Sequence, residues 1–210
     1  MPTEFLKDIA GPVGRLEARL DLPTGAARAV AVCAHPHPLY GGTMHTKALY
    51  QAAKALTRTG VAALRFNFRG VGLSGGTFDA GPGEKDDFRA AVDFAAARFP
   101  GVPIWAVGMS FGSWIAGAVG AEDPRVSLVV LIAPPVDRYD FTPLAGAGRP
   151  VFVVHGEDDE LIPAKDVRAF YATLAEPKEL VMIEDANHLF ENRTPLVGDA
   201  VEGLAADFQG

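Results

Sequence analysis

Runs of apolar residues recur along the chain at Ala29–Ala34, Val61–Phe68, Ile104–Val107, Val126–Ile132 and Val151–Val154, with a further candidate at Glu179–Ile183. They are too continuous for strands with one wet face. They have the pattern of parallel strands covered on both sides. Ahead of them, Glu4–Ile9 and Arg15–Leu20 flank a Gly/Pro-containing turn. The second segment alternates Leu16, Ala18 and Leu20 with Arg15, Glu17 and Arg19, which predicts a half-exposed antiparallel hairpin.

Helical spacing fills the gaps. Thr43 is placed to cap a helix through Leu49, Ala52, Ala53 and Leu56 that stops at Gly60. Glu84, Asp86 and Asp87 open a second, where negative charge suits the positive end of the helix dipole. Phe88, Val92, Ala95 and Phe99 continue it at helical spacing. A third, from Phe111 to Gly120, is built of small residues, and a fourth spans Ala164–Leu174. Thr194-Pro195 reads as a cap and first-turn proline before an apolar stripe of Leu196, Val197, Val201, Leu204 and Phe208. Strands that alternate with helices predict an α/β fold with a mostly parallel sheet. Such sheets bind ligands beyond the carboxyl ends of their strands.

Composition narrows the function classes. The chain has 210 residues, 49% hydrophobic and 21% charged, which excludes disorder and fibrous classes. No composition shift, linker or repeat divides it, so residues 1–210 are expected to form one domain. The net charge of −7, with no basic tract, argues against nucleic acid or an anionic membrane surface as a partner. The N-terminal residues lack the basic and apolar regions of a signal peptide, and no apolar run reaches the ~18 residues of a membrane helix. The one cysteine, Cys33, lies in a buried run and is expected to be an inert core thiol. A cytoplasmic location is the expectation.

The run Ile104–Val107 is followed by Gly108-Met109-Ser110-Phe111-Gly112 and then the small-residue helix. This is G-x-S-x-G in a strand–turn–helix context, where a serine on a strained turn is presented above the sheet. The positions two before and two after the serine pack together and must lack bulk. The helix N-terminus behind the serine favours developing negative charge.

A serine nucleophile needs a base and an orienting acid. The segments Val151–Pro163 and Asp185–Phe190 resemble the acid and histidine loops of the α/β-hydrolase family. His35-Pro36-His37-Pro38-Leu39-Tyr40-Gly41-Gly42 and Arg65–Ser74, with Phe78-Asp79, are similar to a group of small bacterial serine hydrolases and esterases without a lid. The resemblance runs from about Val13 to Phe190. It implies an α/β-hydrolase fold, with a mostly parallel central sheet, helices on both faces and no cap domain. It also implies hydrolysis of a carboxylic ester through an acyl-enzyme.

Under that resemblance Ser110 is the nucleophile and His188, which alone follows the acid loop, is the base. The acid falls among Glu157, Asp158, Asp159 and Glu160. Counting from Gly156 in the family pattern gives Asp159, with Asp158 the alternative. Asp185 is taken as a loop residue. The oxyanion hole should combine the amide of Phe111 with one from the loop after Ala29–Ala34. Pro36 and Pro38 have no N–H, so the donor is His37, Leu39 or Tyr40, and His37 is favoured.

Other features are weighed as structural. His35 and His37 form an H-x-H pair, but no third ligand is apparent, so loop bracing is expected and no metal. His155 is expected to be structural and Trp114 to pack helix against sheet. Gly70-Val71-Gly72-Leu73-Ser74-Gly75 matches the dinucleotide motif G-x-G-x-x-G, but Gly76–Gly83 continues as loop, so no cofactor is expected. Arg69 and Asp79 should brace this loop. The stretch Ala133–Pro150 is only 18 residues, too short for a cap domain, which predicts an open site. The expected partner is a small acyl ester or thioester, and the expected state a monomer or homodimer. A thioesterase or acyltransferase with the same triad, a non-catalytic ligand-binding relative and a nicotinamide-dependent enzyme remain the alternatives.

Overall fold

The computed structural model describes residues 2–208. The strands are β1 (Thr3–Gly11), β2 (Gly14–Asp21), β3 (Ala29–Ala34), β4 (Val61–Phe66), β5 (Ile104–Met109), β6 (Val126–Ile132), β7 (Val151–Gly156) and β8 (Lys178–Ile183). They form one sheet in the order β1-β2-β4-β3-β5-β6-β7-β8. The β1–β2 and β2–β4 pairs are antiparallel, and all others are parallel. The helices are α1 (Lys47–Arg58), α2 (Pro82–Arg98), α3 (Phe111–Glu122), α4 (Thr142–Gly146), α5 (Ala164–Thr173) and α6 (Thr194–Asp207), with a 3₁₀ turn at Pro38–Tyr40.

The continuous apolar runs have a physical reason. In β3, Val30, Val32 and Ala34 join the core beneath α2 and α3, while Ala29, Ala31 and Cys33 join the core beneath α1 and α6. Each strand residue therefore meets hydrocarbon whichever way it points. The hairpin has a single covered face: Leu16, Ala18 and Leu20 are buried, and the residues between them are not. The edge strand β8 is only half-buried.

Several boundaries differ from the predicted ones. Helix α1 is capped by Thr46, not Thr43, because residues 43–46 close a turn of their own (Thr46 N–H to Thr43 O, 2.9 Å). The run Val61–Phe68 leaves the sheet after Phe66, where the Phe68 amide donates to His35 Nε2 at 3.1 Å instead of to a ladder partner. Helix α2 begins at Pro82, ahead of Glu84. The Glu84 carboxylate folds back to accept the amides of Gly81 (2.7 Å) and Asp79 (2.9 Å), a capping arrangement that starts the helix before its acidic cluster. The cap of α6 is Arg193, and Thr194 is already helical. The stretch Ala133–Pro150 contains the short helix α4, which buries Phe141 and Leu144 against α3.

No helix opens inside residues 70–75, so the Gly-rich segment is a loop. Arg69 anchors it, donating from Nε (3.0 Å), Nη2 (2.8 Å) and its own amide (2.9 Å) to the Asp87 carboxylate on α2. Both side chains are buried. Asp79 accepts the Gly83 amide at 3.0 Å, so both residues do brace the loop. Removing one partner of a buried ion pair strands the other charge. Asp87→Ala is therefore expected to cost about 3–5 kcal/mol in denaturant unfolding. A loss below about 1 kcal/mol would mean that this pair does not hold the loop to α2.

Candidate active site

Strand β5 ends at Met109, and α3 begins at Phe111. Ser110, between them, has φ 51° and ψ −125°, a region that a residue with a Cβ rarely occupies. Its amide donates to Ile132 O of β6 at 2.8 Å. Its carbonyl accepts both the amide (2.8 Å) and the hydroxyl (2.6 Å) of Ser113. The turn closes only because its flanks lack side chains. A Cβ on Gly108 would overlap the Gly112 carbonyl, and a Cβ on Gly112 would overlap the carbonyls of Ala34 and His35. The N-terminus of α3 is thus pressed against the end of β3.

The Ser110 Oγ lies 2.8 Å from His188 Nε2, and His188 Nδ1 lies 2.8 Å from Asp159 Oδ2. His188 comes from the loop after β8, and Asp159 from the loop after β7. The second oxygen of Asp159 accepts the amides of Leu161 (2.9 Å) and Ile162 (2.8 Å), which fixes the plane of the carboxylate. Burial alone would raise the Asp159 pKa. The His188 hydrogen bond and charge, with those two amides, outweigh it and hold the carboxyl below the usual range. An ionised Asp159 accepts the Nδ1 proton, so Nε2 presents its lone pair to the serine.

The four adjacent acids separate cleanly. Asp159 is buried and reaches His188. Asp158 is exposed and contributes only its amide, to Ala186 O at 3.1 Å. Glu157 pairs with Arg168 at 3.0 Å. Glu160 accepts the main-chain N–H of His188 at 3.1 Å. Asp185, at φ 51°, pairs with Arg193 as a loop residue. Sequence reasoning missed Glu160 and Ser113. Both act through local backbone bonds that carry no pattern along the chain.

His35 and His37 brace their loop. Buried His35 donates from Nδ1 to Pro36 O (2.6 Å) and accepts the Phe68 amide at Nε2, joining the loops after β3 and β4. Burial lowers its pKa to about 4. His37 accepts the Leu39 amide at Nδ1 (3.2 Å) and packs against Tyr40, Phe78 and Phe111. The amides of Tyr40 and Gly42 go to His37 O, and that of Gly41 to Pro38 O. Among the described residues, no protein acceptor takes the amide of His37 or Phe111.

His155 donates from Nε2 to Ile162 O at 3.0 Å and supports the acid loop from below. Trp114 stacks on Tyr139 at 4.4 Å behind the pocket. Burial pushes the Cys33 thiol up to about 12, which leaves it unreactive. Among the described residues, no three His, Cys, Asp or Glu side chains converge as metal ligands would, and no helix is long and apolar enough to cross a membrane.

A cavity of about 530 Å³ opens beside Ser110 and His188. Its walls come from His37, Tyr40, Phe111, Tyr139, Leu161 and Leu189, with Arg138 and Glu160 as charged members. Of these, Tyr40, Leu161 and Leu189 are exposed.

The fold is that of an α/β serine hydrolase. Residues 26–149 match the family model described as serine aminopeptidase, S33, and the chain belongs to that family. An uncharacterized protein of Rickettsia prowazekii is 36% identical over 208 residues, covering 95% of this chain and 87% of that protein. An α/β serine hydrolase homologue from Coxiella burnetii is 34% identical, with a TM-score of 0.89 over 97% of this chain and 96% of its own. A serine hydrolase without a lid from Xanthomonas campestris is 33% identical, with a TM-score of 0.86 over 96% and 92%.

The buried His35 has a consequence for stability. It is neutral in the fold down to about pH 4, whereas the unfolded chain takes up the proton near 6.5. Its contribution is complete above pH 6.5 and is lost as the pH falls towards 4. Stability should drop by about 2 kcal/mol from this group between pH 6.5 and 5. In His35→Gln the denaturation midpoint should fall less over the same interval. An unchanged slope would mean that His35 is not held neutral.

Proposed function

We propose that this chain hydrolyses carboxylic esters through an acyl-enzyme on Ser110. The observation that carries this reading is the unbroken link from Ser110 Oγ through His188 to Asp159, at 2.8 Å in both steps, opening on an uncovered cavity. The Ser110 oxygen attacks the ester carbonyl carbon while His188 Nε2 takes its proton. Asp159 orients the imidazole and stabilises it once charged. Collapse of the tetrahedral intermediate expels the alkoxide, which leaves with the proton from Nε2. Water then attacks the acyl-enzyme and gives one proton to Nε2; that proton passes to the Ser110 oxygen as the carboxylic acid departs and ionises in solvent.

The developing oxyanion is assigned to the amides of Phe111 and His37. Two facts support His37: Pro36 and Pro38 have no N–H, and the amides of Leu39 and Tyr40 are spent within the loop. The absence of a cap domain and the exposed apolar rim fit small or extended acyl substrates that bind without an opening step.

Reaction with a fluorophosphonate, followed by a panel of esters, thioesters and aminoacyl amides, tests the reading. Ser110→Ala should lose labelling and about a millionfold in rate while staying folded. Activity within tenfold of the native chain, or turnover of amides alone, would overturn it. Asp159→Asn should lose about 10⁴ in kcat, and Asp158→Asn less than about threefold. The reverse order would exchange their roles.

Glu160 is proposed as a positioning residue that ties the His188 backbone to the acid loop. Glu160→Ala should lower kcat about fivefold with little change in KM, as expected for one lost hydrogen bond. Glu160→Gln, which keeps an acceptor, should restore the rate. Equal losses in both variants would show that the charge, rather than the bond, matters.

A further inference from the structure

On the face of the sheet covered by α1, alternate positions of β4 read Val61, Ala63 and Arg65. The first two enter the apolar core. The third places a guanidinium, 2% exposed, where that pattern would continue with hydrocarbon. Arg65 donates from Nε (3.0 Å) and Nη2 (2.7 Å) to Asp21 Oδ2 and from Nη1 (2.8 Å) to Met44 O. The other Asp21 oxygen accepts the Thr3 hydroxyl at 2.6 Å. This carboxylate is therefore fully engaged.

A hollow of about 230 Å³ lies over the pair, between β2, β4 and α1, and Arg19 and Lys54 also line it. Among the described residues neither Arg19 nor Lys54 has a carboxylate in ion-pair range. The Lys54 ammonium rests 5.3 Å from the centre of the Tyr50 ring. The Arg19 guanidinium lies 4.9 Å from the centre of the Phe5 ring, and its buried Nε has no hydrogen-bond acceptor among the described residues. The convergence is felt by His45, also on the wall. Burial lowers its pKa, and the charges of Arg19 and Arg65 lower it further against the pull of Glu17. On the wall of the hollow Arg19, Lys54 and Arg65 thus face the one carboxylate of Asp21, with Glu17 close enough to act on His45, in a chain with a net charge of −7.

We propose that this hollow is an anion site that takes a phosphate group, free or as the terminal group of a larger molecule. A phosphate anion complements this positive wall and offers acceptors to the guanidinium of Arg19 and the ammonium of Lys54. The volume is below the roughly 300–1,000 Å³ of pockets that enclose a whole drug-sized ligand, so a headgroup rather than a full molecule is held. The hollow shares no lining residue with the serine pocket, and the inference stands whether or not the chain cleaves esters.

The test titrates the full chain with sodium phosphate, and separately with glycerol phosphate, against sodium chloride at matched ionic strength. Phosphate should raise the unfolding midpoint in proportion to the logarithm of its concentration above Kd, by roughly 5 °C near a hundredfold excess. It should also raise the apparent pKa of His45 followed by proton NMR. Both effects should vanish in Arg19→Gln/Lys54→Gln, whose reaction with a fluorophosphonate should match that of the native chain. A larger rise with glycerol phosphate at equal concentration assigns the phosphate to a larger molecule, and an equal or smaller rise assigns it to the free ion. Equal responses to phosphate and chloride overturn the proposal, as does a phosphate response that persists in the double variant, since that is a bulk salt effect.

Discussion

The close approach of backbone to backbone at Gly108 and Gly112 is the constraint on which the rest of the molecule depends. Gly112 lies against the carbonyls of Ala34 and His35, so α3 can start directly at the end of β5 and beside the end of β3. That contact forces Ser110 into a left-handed conformation, and the bonds from Ser110 to Ile132 and Ser113 hold it there. The same contact brings the loop that begins at His35 to the serine. The strain at one residue is sustained by a sheet whose every neighbouring strand is buried on both faces.

Around this centre, loops do the positioning, and they are held by buried polar groups more than by hydrocarbon. His35 joins the loops after β3 and β4. Arg69 joins the latter to α2, and Asn67 takes the Met44 amide at 2.8 Å while donating to Glu17 at 2.8 Å. Each group is costly to bury alone and is tolerated because its partners are satisfied. The result is a set of rigid loops at the carboxyl edge of the sheet, where a parallel sheet offers its ligand site. On the acid side the same logic recurs. Asp159 is held by two amides of its own loop, Glu160 holds the backbone of the histidine loop, and His155 secures Ile162 from beneath.

The absence of a cap domain follows from chain length between β6 and β7. Within that stretch α4 packs on α3, while Arg138 and Tyr139 join the pocket wall. The apolar part of that wall is formed chiefly by Tyr40, Tyr139, Leu161 and Leu189.

The sequence alone determined the sheet, its two-sided burial, the hairpin at its edge and the elbow at Ser110. These rest on local periodicity and on the spacing of glycines, which any correct fold must respect. It also offered His188 and, by the count from Gly156, Asp159 ahead of Asp158. Tertiary structure supplied the physical reason. Asp159 rather than Asp158 reaches His188, because Leu161 and Ile162 turn their amides onto its carboxylate. Helix starts moved from Thr43 to Thr46 and from Glu84 to Pro82, because turns closed by distant or backward-reaching bonds override local cap preference. The role of Glu160 and the cationic hollow at Arg65 were not legible, because each joins residues from separate loops or strands, and a linear pattern records only which residues a chain has, not which charges the fold brings face to face.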